Sequence, residues 1–250
     1  MIYHTAAEIN YYNAFFKRWH KSIVSIHPDA KFSLKFVGEP GYADVVEYAK
    51  ANNISLILDP TTHEDLIKKY GSMNNGSGYY PMARWNSIPD NDDVCVTDVD
   101  VVMLTNHLDE IIEQLKTYDI VSISRLKSAD KVNLMMINYI KKNACAEIKN
   151  IALKLMDHKD FRWDIDLAVM SKAKKAFNLT YTHKLAKFDR QANLEPNPEF
   201  NAYFGYYSAI PIVLDDISYA GGLDAKKAKY EWADKNNVFN FSSNQSASQD

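Results

Sequence analysis

Hydrophobic and polar positions alternate between two periods along the first half of the chain. From about Ile9 to Ile26, Tyr12, Phe15, Phe16, Trp19 and Ile23 recur at helical spacing, and Pro28 follows. Lys31–Val37 instead alternates Phe32, Leu34 and Phe36, the period of a half-buried strand. The same reading predicts a short strand at Ile2–Ala6, a turn at 38–41, a helix at Tyr42–Asn52 and a buried strand at Ile54–Leu58. A helix at Thr62–Tyr70 follows, with Thr62 as its cap. A Gly/Asn/Ser loop covers 71–78, and proline in the first turn suits a helix at Pro81–Ile88. Val94–Asp98 is the fourth strand. Later elements are a helix at Leu108–Thr117, a strand at Ile120–Ser124 and a long helix at Asn133–Met156 with lysines on one face. Another helical piece follows Phe161–Met170, and Ile212–Leu214 reads as a late strand.

Strands alternating with helices predict an α/β fold: a mostly parallel sheet with helices on both faces. Ligands in such sheets collect at the carboxyl ends of the strands. No internal repeat or linker interrupts the pattern, so residues 1–241 read as one domain. The Ser/Asn/Gln-rich stretch 242–250 reads as a disordered tail.

One run carries the chemistry. Val94-Cys95-Val96-Thr97-Asp98-Val99-Asp100-Val101-Val102 sets two carboxylates at spacing i, i+2 between apolar segments. Placing them there is costly unless positive charge compensates them. A divalent metal with the phosphates it carries would do so.

Charge is unevenly spread. Residues 120–190 hold 15 Lys and Arg against 7 Asp and Glu, whereas residues 1–119 hold 10 against 17. Solvated helix faces account for such a stretch, and so does an anionic ligand or acceptor. Cys95 and Cys145 show no disulfide or zinc spacing, which points to a reducing compartment. Neither a leader segment nor a membrane span is expected from the hydropathy. The expected location is the cytoplasm, for a cellular protein or a viral one acting inside its host.

The order of strands and helices before Thr97-Asp98-Val99-Asp100 resembles nucleotide-sugar glycosyltransferases of the GT-A fold. Tyr79-Tyr80-Pro81-Met82-Ala83-Arg84-Trp85 upstream is similar to the tyrosine–arginine helix that glycogenin-like members place before their D-x-D strand. The resemblance covers residues 1–125 in layout. It implies a three-layer α/β/α sandwich, with a nucleotide-sugar-binding half at 1–125 and an acceptor-binding half at 126–241. It further implies a metal-dependent hexosyltransferase with a UDP-sugar donor, Mn2+ or Mg2+ as the metal, and retention of configuration. The acceptor stays open between a glycan, a lipid-linked sugar, a protein and a hydroxylated base in DNA.

On the same resemblance, Asp100 coordinates the metal. Asp98 contacts the ribose or the metal shell, and Arg84 orients Asp98 or pairs with the phosphates. Tyr3, His4, Thr5 and Ala6 would lie beside the nucleotide base. Asp164 and Asp166, in Trp163-Asp164-Ile165-Asp166-Leu167-Ala168, are both candidates for the catalytic carboxylate. The family often adds a C-terminal histidine as a third ligand. The nearest match to that stretch, Asn201–Tyr206, lacks a histidine; His183 is the candidate among the histidines, and a different group or water is the alternative.

Two other classes fit parts of the pattern. A haloacid-dehalogenase-like phosphatase would use Asp98 as nucleophile and Asp100 as general acid, with Ser122 and Asp215-Asp216 as later contacts. That fold carries its nucleophile on the first strand, whereas three βα units precede Asp98 here. A module that binds a nucleotide sugar without turning it over is the third reading.

Overall fold

Among the described residues seven strands form the main sheet, in the order β3-β2-β1-β4-β7-β6-β8. The structure is a computed structural model that describes residues 1–38, 42–72, 76, 78–103, 108–128, 131–158, 167–186, 209–211, 217–219 and 223–235. The strands are β1 (Ile2–Glu8), β2 (Lys31–Val37), β3 (Ile54–Asp59), β4 (Val94–Thr97), β6 (Ile120–Ser128), β7 (Lys131–Ile140) and β8 (Tyr181–Ala186). Only β7 runs against its neighbours, antiparallel to both β4 and β6; the other pairs are parallel. A smaller antiparallel sheet joins β5 (Val101–Val102), β10 (Ile217–Tyr219) and β9 (Ala209–Pro211).

Helices cover both faces, giving the three layers expected. One face carries α1 (Ile9–Tyr11), a π-helical turn (Tyr12–Phe16), α2 (Lys17–Ile26), α3 (Ala43–Ala51), α6 (Leu108–Thr117) and α9 (Leu223–Lys235). The other carries α4 (His63–Tyr70), α5 (Tyr79–Asn86), α7 (Lys142–Leu155) and α8 (Leu167–Phe177). Central strand β1 shows why two cores form. Tyr3 and Ala7 pack into the first cluster, Ile2 and Ala6 into the second, as the strand period requires.

The predicted helices and strands of residues 9–70 are present within a residue or two; the turn predicted at 38–41 lies, apart from Gly38, outside the described residues. Thr62 closes α4 with a capping box: its hydroxyl accepts from the Asp65 N–H, and the Asp65 carboxylate accepts from the Thr62 N–H. Three expectations need correction. β1 continues to Glu8 and does not stop at Ala6. Ile54–Leu58 is not a buried strand: β3 lies at the sheet edge and exposes Ile57 and Leu58. The long helix over 133–156 is instead β7 followed by α7. Asn-Leu-Met-Met-Ile-Asn-Tyr-Ile is apolar at both periods, so periodicity alone does not separate strand from helix. Pairing with β4 and β6 decides it, and Ile137, Tyr139 and Ile140 are buried there. The predicted strand at 212–214 and tail at 242–250 lie outside the described residues.

Replacing Thr62 by Ala removes one side-chain cap at an exposed helix end. The expected cost is about 1 kcal/mol in urea unfolding, with an unchanged denaturant slope.

Candidate functional site

The carboxylate pair sits on a turn at the carboxyl end of β4, next to the centre of the sheet. The Val101 N–H donates to the Asp98 carbonyl at 3.4 Å, closing a four-residue turn with Asp98 first and Asp100 third. The chain then enters β5, so the turn is anchored in both sheets.

Side chains from distant elements hold this turn. The Trp19 indole N–H donates to the Thr97 hydroxyl at 2.7 Å, and that hydroxyl donates to the Asp98 carbonyl at 3.0 Å. The Thr5 hydroxyl donates to the Thr97 carbonyl at 2.9 Å. The Met103 N–H donates to the Ser22 hydroxyl at 3.1 Å. From the end of the described chain, the Tyr230 hydroxyl donates to the Asp100 carbonyl. The Tyr230 ring packs on Phe15, and Arg18 lies over it while pairing with Asp234.

Arg84 meets Asp98 directly, with Nη1 2.5 Å from Oδ1. The guanidinium is buried, whereas the Asp98 side chain keeps 32% of its surface exposed. Asp98 is thus oriented from inside and open toward solvent. Asp100 is buried. Two oxygen-rich groups beside each other suit a hard divalent cation. Among the described residues no group of three His, Cys, Asp or Glu side chains converges to hold one by itself.

A second network fixes α5, which carries Arg84. Lys35 on β2 pairs with Asp59 at 2.8 Å and donates to the Asn86 side-chain oxygen at 2.9 Å. Asp59 also accepts from the Thr61 hydroxyl and, at 2.8 Å, from the Tyr79 hydroxyl. Both ends of α5 are therefore tied to one ion pair. Burial raises the Asp59 pKa, but the hydrogen bonds from Lys35 and Thr61, the Lys35 charge and the Tyr79 hydrogen bond outweigh it. The carboxyl ends up below its ordinary value. Burial pushes the Tyr79 phenol well above its usual range.

The residues expected beside the base are consecutive on β1 and face alternate sides of the sheet. Tyr3 is buried and hydrogen-bonded to His27. His4 is fully enclosed between Ser33 Oγ, 3.0 Å from Nδ1, and Ser87 Oγ, 3.1 Å from Nε2. The Ser87 hydroxyl already donates to the Ala83 carbonyl, so Nε2 is the His4 donor and Nδ1 accepts from Ser33. Burial lowers the His4 pKa to about 3, which keeps the ring neutral. Tyr3 and His4 are packing residues, Thr5 braces the motif strand, and Ala6 packs on the second cluster. The structure does not bring His183 to the carboxylates. Its register runs His183, Ser122, Asn138, Val96 across the sheet. Three strand spacings, about 14 Å, therefore separate its backbone from β4. Asp164 and Asp166 lie outside the described residues and directly precede α8 in sequence. Ser122, the phosphatase candidate, is buried inside the sheet and donates to Asn138 at 2.6 Å.

Sequence reasoning missed Trp19, Thr97, Ser22, Tyr230 and the Lys35–Asp59 pair as supports. Trp19 carried only a core-position signal. Lys35 had a weak one, a lysine within an otherwise alternating apolar strand.

Replacing Lys35 by Met leaves Asp59 buried without its cation. The expected loss at pH 7 is about 3 kcal/mol in urea unfolding. In the native protein the depressed Asp59 pKa gives stability that is present above the unfolded value of about 3.9 and lost as pH falls below it. The gap between native and variant proteins should therefore narrow in acid; a gap independent of pH would rule out the charge pairing as its source.

No family model matches the sequence, and no curated protein matches it. Solved structures do. The glycosyltransferase GlyE of Streptococcus pneumoniae TIGR4 superposes with a TM-score of 0.52 at 14% identity, over 94% of this chain and 63% of that one. The galactosyltransferase LgtC, solved with donor and acceptor sugar analogues, gives 0.51 at 16% identity, over 75% and 74% of the two chains. With the strand order and the antiparallel β7, these likenesses show that the chain has the fold of the GT-A glycosyltransferases.

Proposed function

We propose that the protein is a metal-dependent glycosyltransferase that moves a sugar from a nucleoside-diphosphate sugar to an acceptor hydroxyl. One observation carries this reading: the Asp98/Asp100 turn at the carboxyl end of β4, with Asp98 ion-paired to the buried Arg84, in a GT-A sheet. GlyE and LgtC, two solved structures of like fold, are a glycosyltransferase and a galactosyltransferase by name.

In the transfer, the bond from the anomeric carbon to the diphosphate oxygen breaks and the acceptor oxygen bonds to that carbon. The acceptor proton leaves with a base, and the diphosphate departs as an anion. A bound Mn2+ or Mg2+ would supply positive charge to that departing group. Asp98 and Asp100 are the residues that would hold it, with donor oxygens or water completing the shell. Arg84 keeps Asp98 in one orientation through a planar, always-charged donor. Trp19, Thr97 and Tyr230 keep the turn from shifting. Asp164 and Asp166 are assigned to the sugar on the family resemblance, as are a UDP donor and retention of configuration. His183 is left out of the ligand set because of its distance across the sheet. The exposed Lys142, Lys154, Lys172 and Lys175 on α7 and α8 keep an anionic acceptor such as DNA beside a neutral glycan. No described helix is long and apolar enough to cross a membrane.

The test is a thermal-shift screen of nucleotide sugars with and without manganese. At about a hundred times its dissociation constant, the true donor contributes about 2.7 kcal/mol and raises Tm by several degrees. Donor hydrolysis or transfer should fall about 10- to 100-fold in Arg84→Ala and further in Asp100→Asn. No shift with any donor, or unaltered turnover in Asp100→Asn, would defeat the proposal. Tight donor binding with no turnover would favour a binding module. Binding to DNA that weakens steeply with salt would select a nucleic-acid acceptor.

A further inference from the structure

Four of the ten large apolar side chains exposed among the described residues lie on the strand at one edge of the sheet or on the helices that precede and follow it in sequence. β3 is that edge. Its register with β2 places Leu58 on the face of Phe36 and α3, and Ile57 on the face of Lys35 and α4. Leu58 is 45% exposed and Ile57 37%. Val46 on α3 is 41% exposed and Ile67 on α4 is 45%. Each face of the edge thus offers one apolar residue from the strand and one from its flanking helix.

Sheet edges are usually guarded by charge, proline or a bulge. Ile-Ser-Leu-Ile-Leu-Asp contains no Lys, Arg or Pro, and its pairing with β2 has no register shift. Its only acid, Asp59, is turned to Lys35. The outward N–H and C=O groups of such a strand are matched by the same strand run antiparallel, as in a two-fold interface.

Charge on the flanking helices fits the same operation. α4 has Glu64 and Asp65 in its first turn and Lys68 and Lys69 in its last, with the exposed Ile67 between them. α3 has Asp44 first and Lys50 last. A macrodipole favours this distribution in any helix. A two-fold axis beside the middle of β3 and normal to the sheet adds a second effect: it turns each flanking helix toward its own copy in reverse, acidic turn toward basic turn.

We propose that the β3 edge is a homodimer interface in which two copies pair β3 antiparallel and extend one sheet across both. The carboxyl ends of the strands then point in opposite directions in the two copies, so pairing leaves both Asp98/Asp100 turns open. This proposal does not rest on the transferase reading.

Sedimentation velocity over a concentration series tests it. The native chain should show a monomer–dimer equilibrium. Ile57→Lys, at an exposed position, should raise the dissociation constant at least about tenfold while leaving circular dichroism unchanged. Glu64→Lys should also weaken the dimer by setting it against Lys68 of the other copy, and Glu64→Lys/Lys68→Glu should restore it. A chain that stays monomeric up to its solubility limit overturns the proposal. So does a dimer indifferent to both Ile57→Lys and Glu64→Lys.

Discussion

A carboxylate at the mouth of an apolar strand must be compensated, and here the compensating charge is itself taken out of water. Arg84 is buried on α5 and reaches Asp98 from inside. A buried pair of this kind is useful only if its geometry is enforced, because desolvation opposes it. Enforcement comes from a second ion pair. Lys35–Asp59 grips Tyr79 at the start of α5 through Asp59 and Asn86 at its end through Lys35. The donor-side architecture is thus two nested pairs, the outer one setting the helix and the inner one setting the carboxylate. The Asp98/Asp100 turn is then confined lengthwise, since β4 belongs to the large sheet and β5 to the small one.

Much of this was legible before any coordinates. The βα alternation through residue 70, the Thr62 cap and the strand ending at the motif follow from local chemistry, periodicity and turn residues, whereas the Arg84–Asp98 partnership is one of two roles that the family resemblance implies for Arg84. What was not legible depends on neighbours. The run 133–140 satisfies two periods at once, and only its place between β4 and β6 makes it a strand. Ile54–Leu58 has the composition of an interior strand, yet interior and edge differ in what lies beside them, not in their own residues. The family resemblance sets His4 beside the base; two serines satisfy it inside the core.

The same contrast separates β1 from β3. β1 has a strand on each side and helices over both faces, so even its polar residues, His4 and Thr5, are consumed internally. Among the described residues β3 has one neighbouring strand, and it keeps apolar side chains in water on both faces. The interior of the sheet holds a precise polar turn in place, while its rim keeps unspent adhesive surface.

Tyr230 gives the motif a history as well as a shape. Asp100 lies 130 residues ahead of the hydroxyl that holds its carbonyl. During synthesis, domains take shape from the N-terminal end as the chain emerges. β1 to β4, Trp19 and Arg84 can all be in place while α9 is still inside the ribosome. The turn at that stage is held by Trp19, Thr5, Ser22 and Arg84, and the Tyr230 bond is added only when α9 folds back onto Phe15. The last described helix therefore acts as a completion mark: a nascent or truncated chain carries the charges of the site without their final geometry.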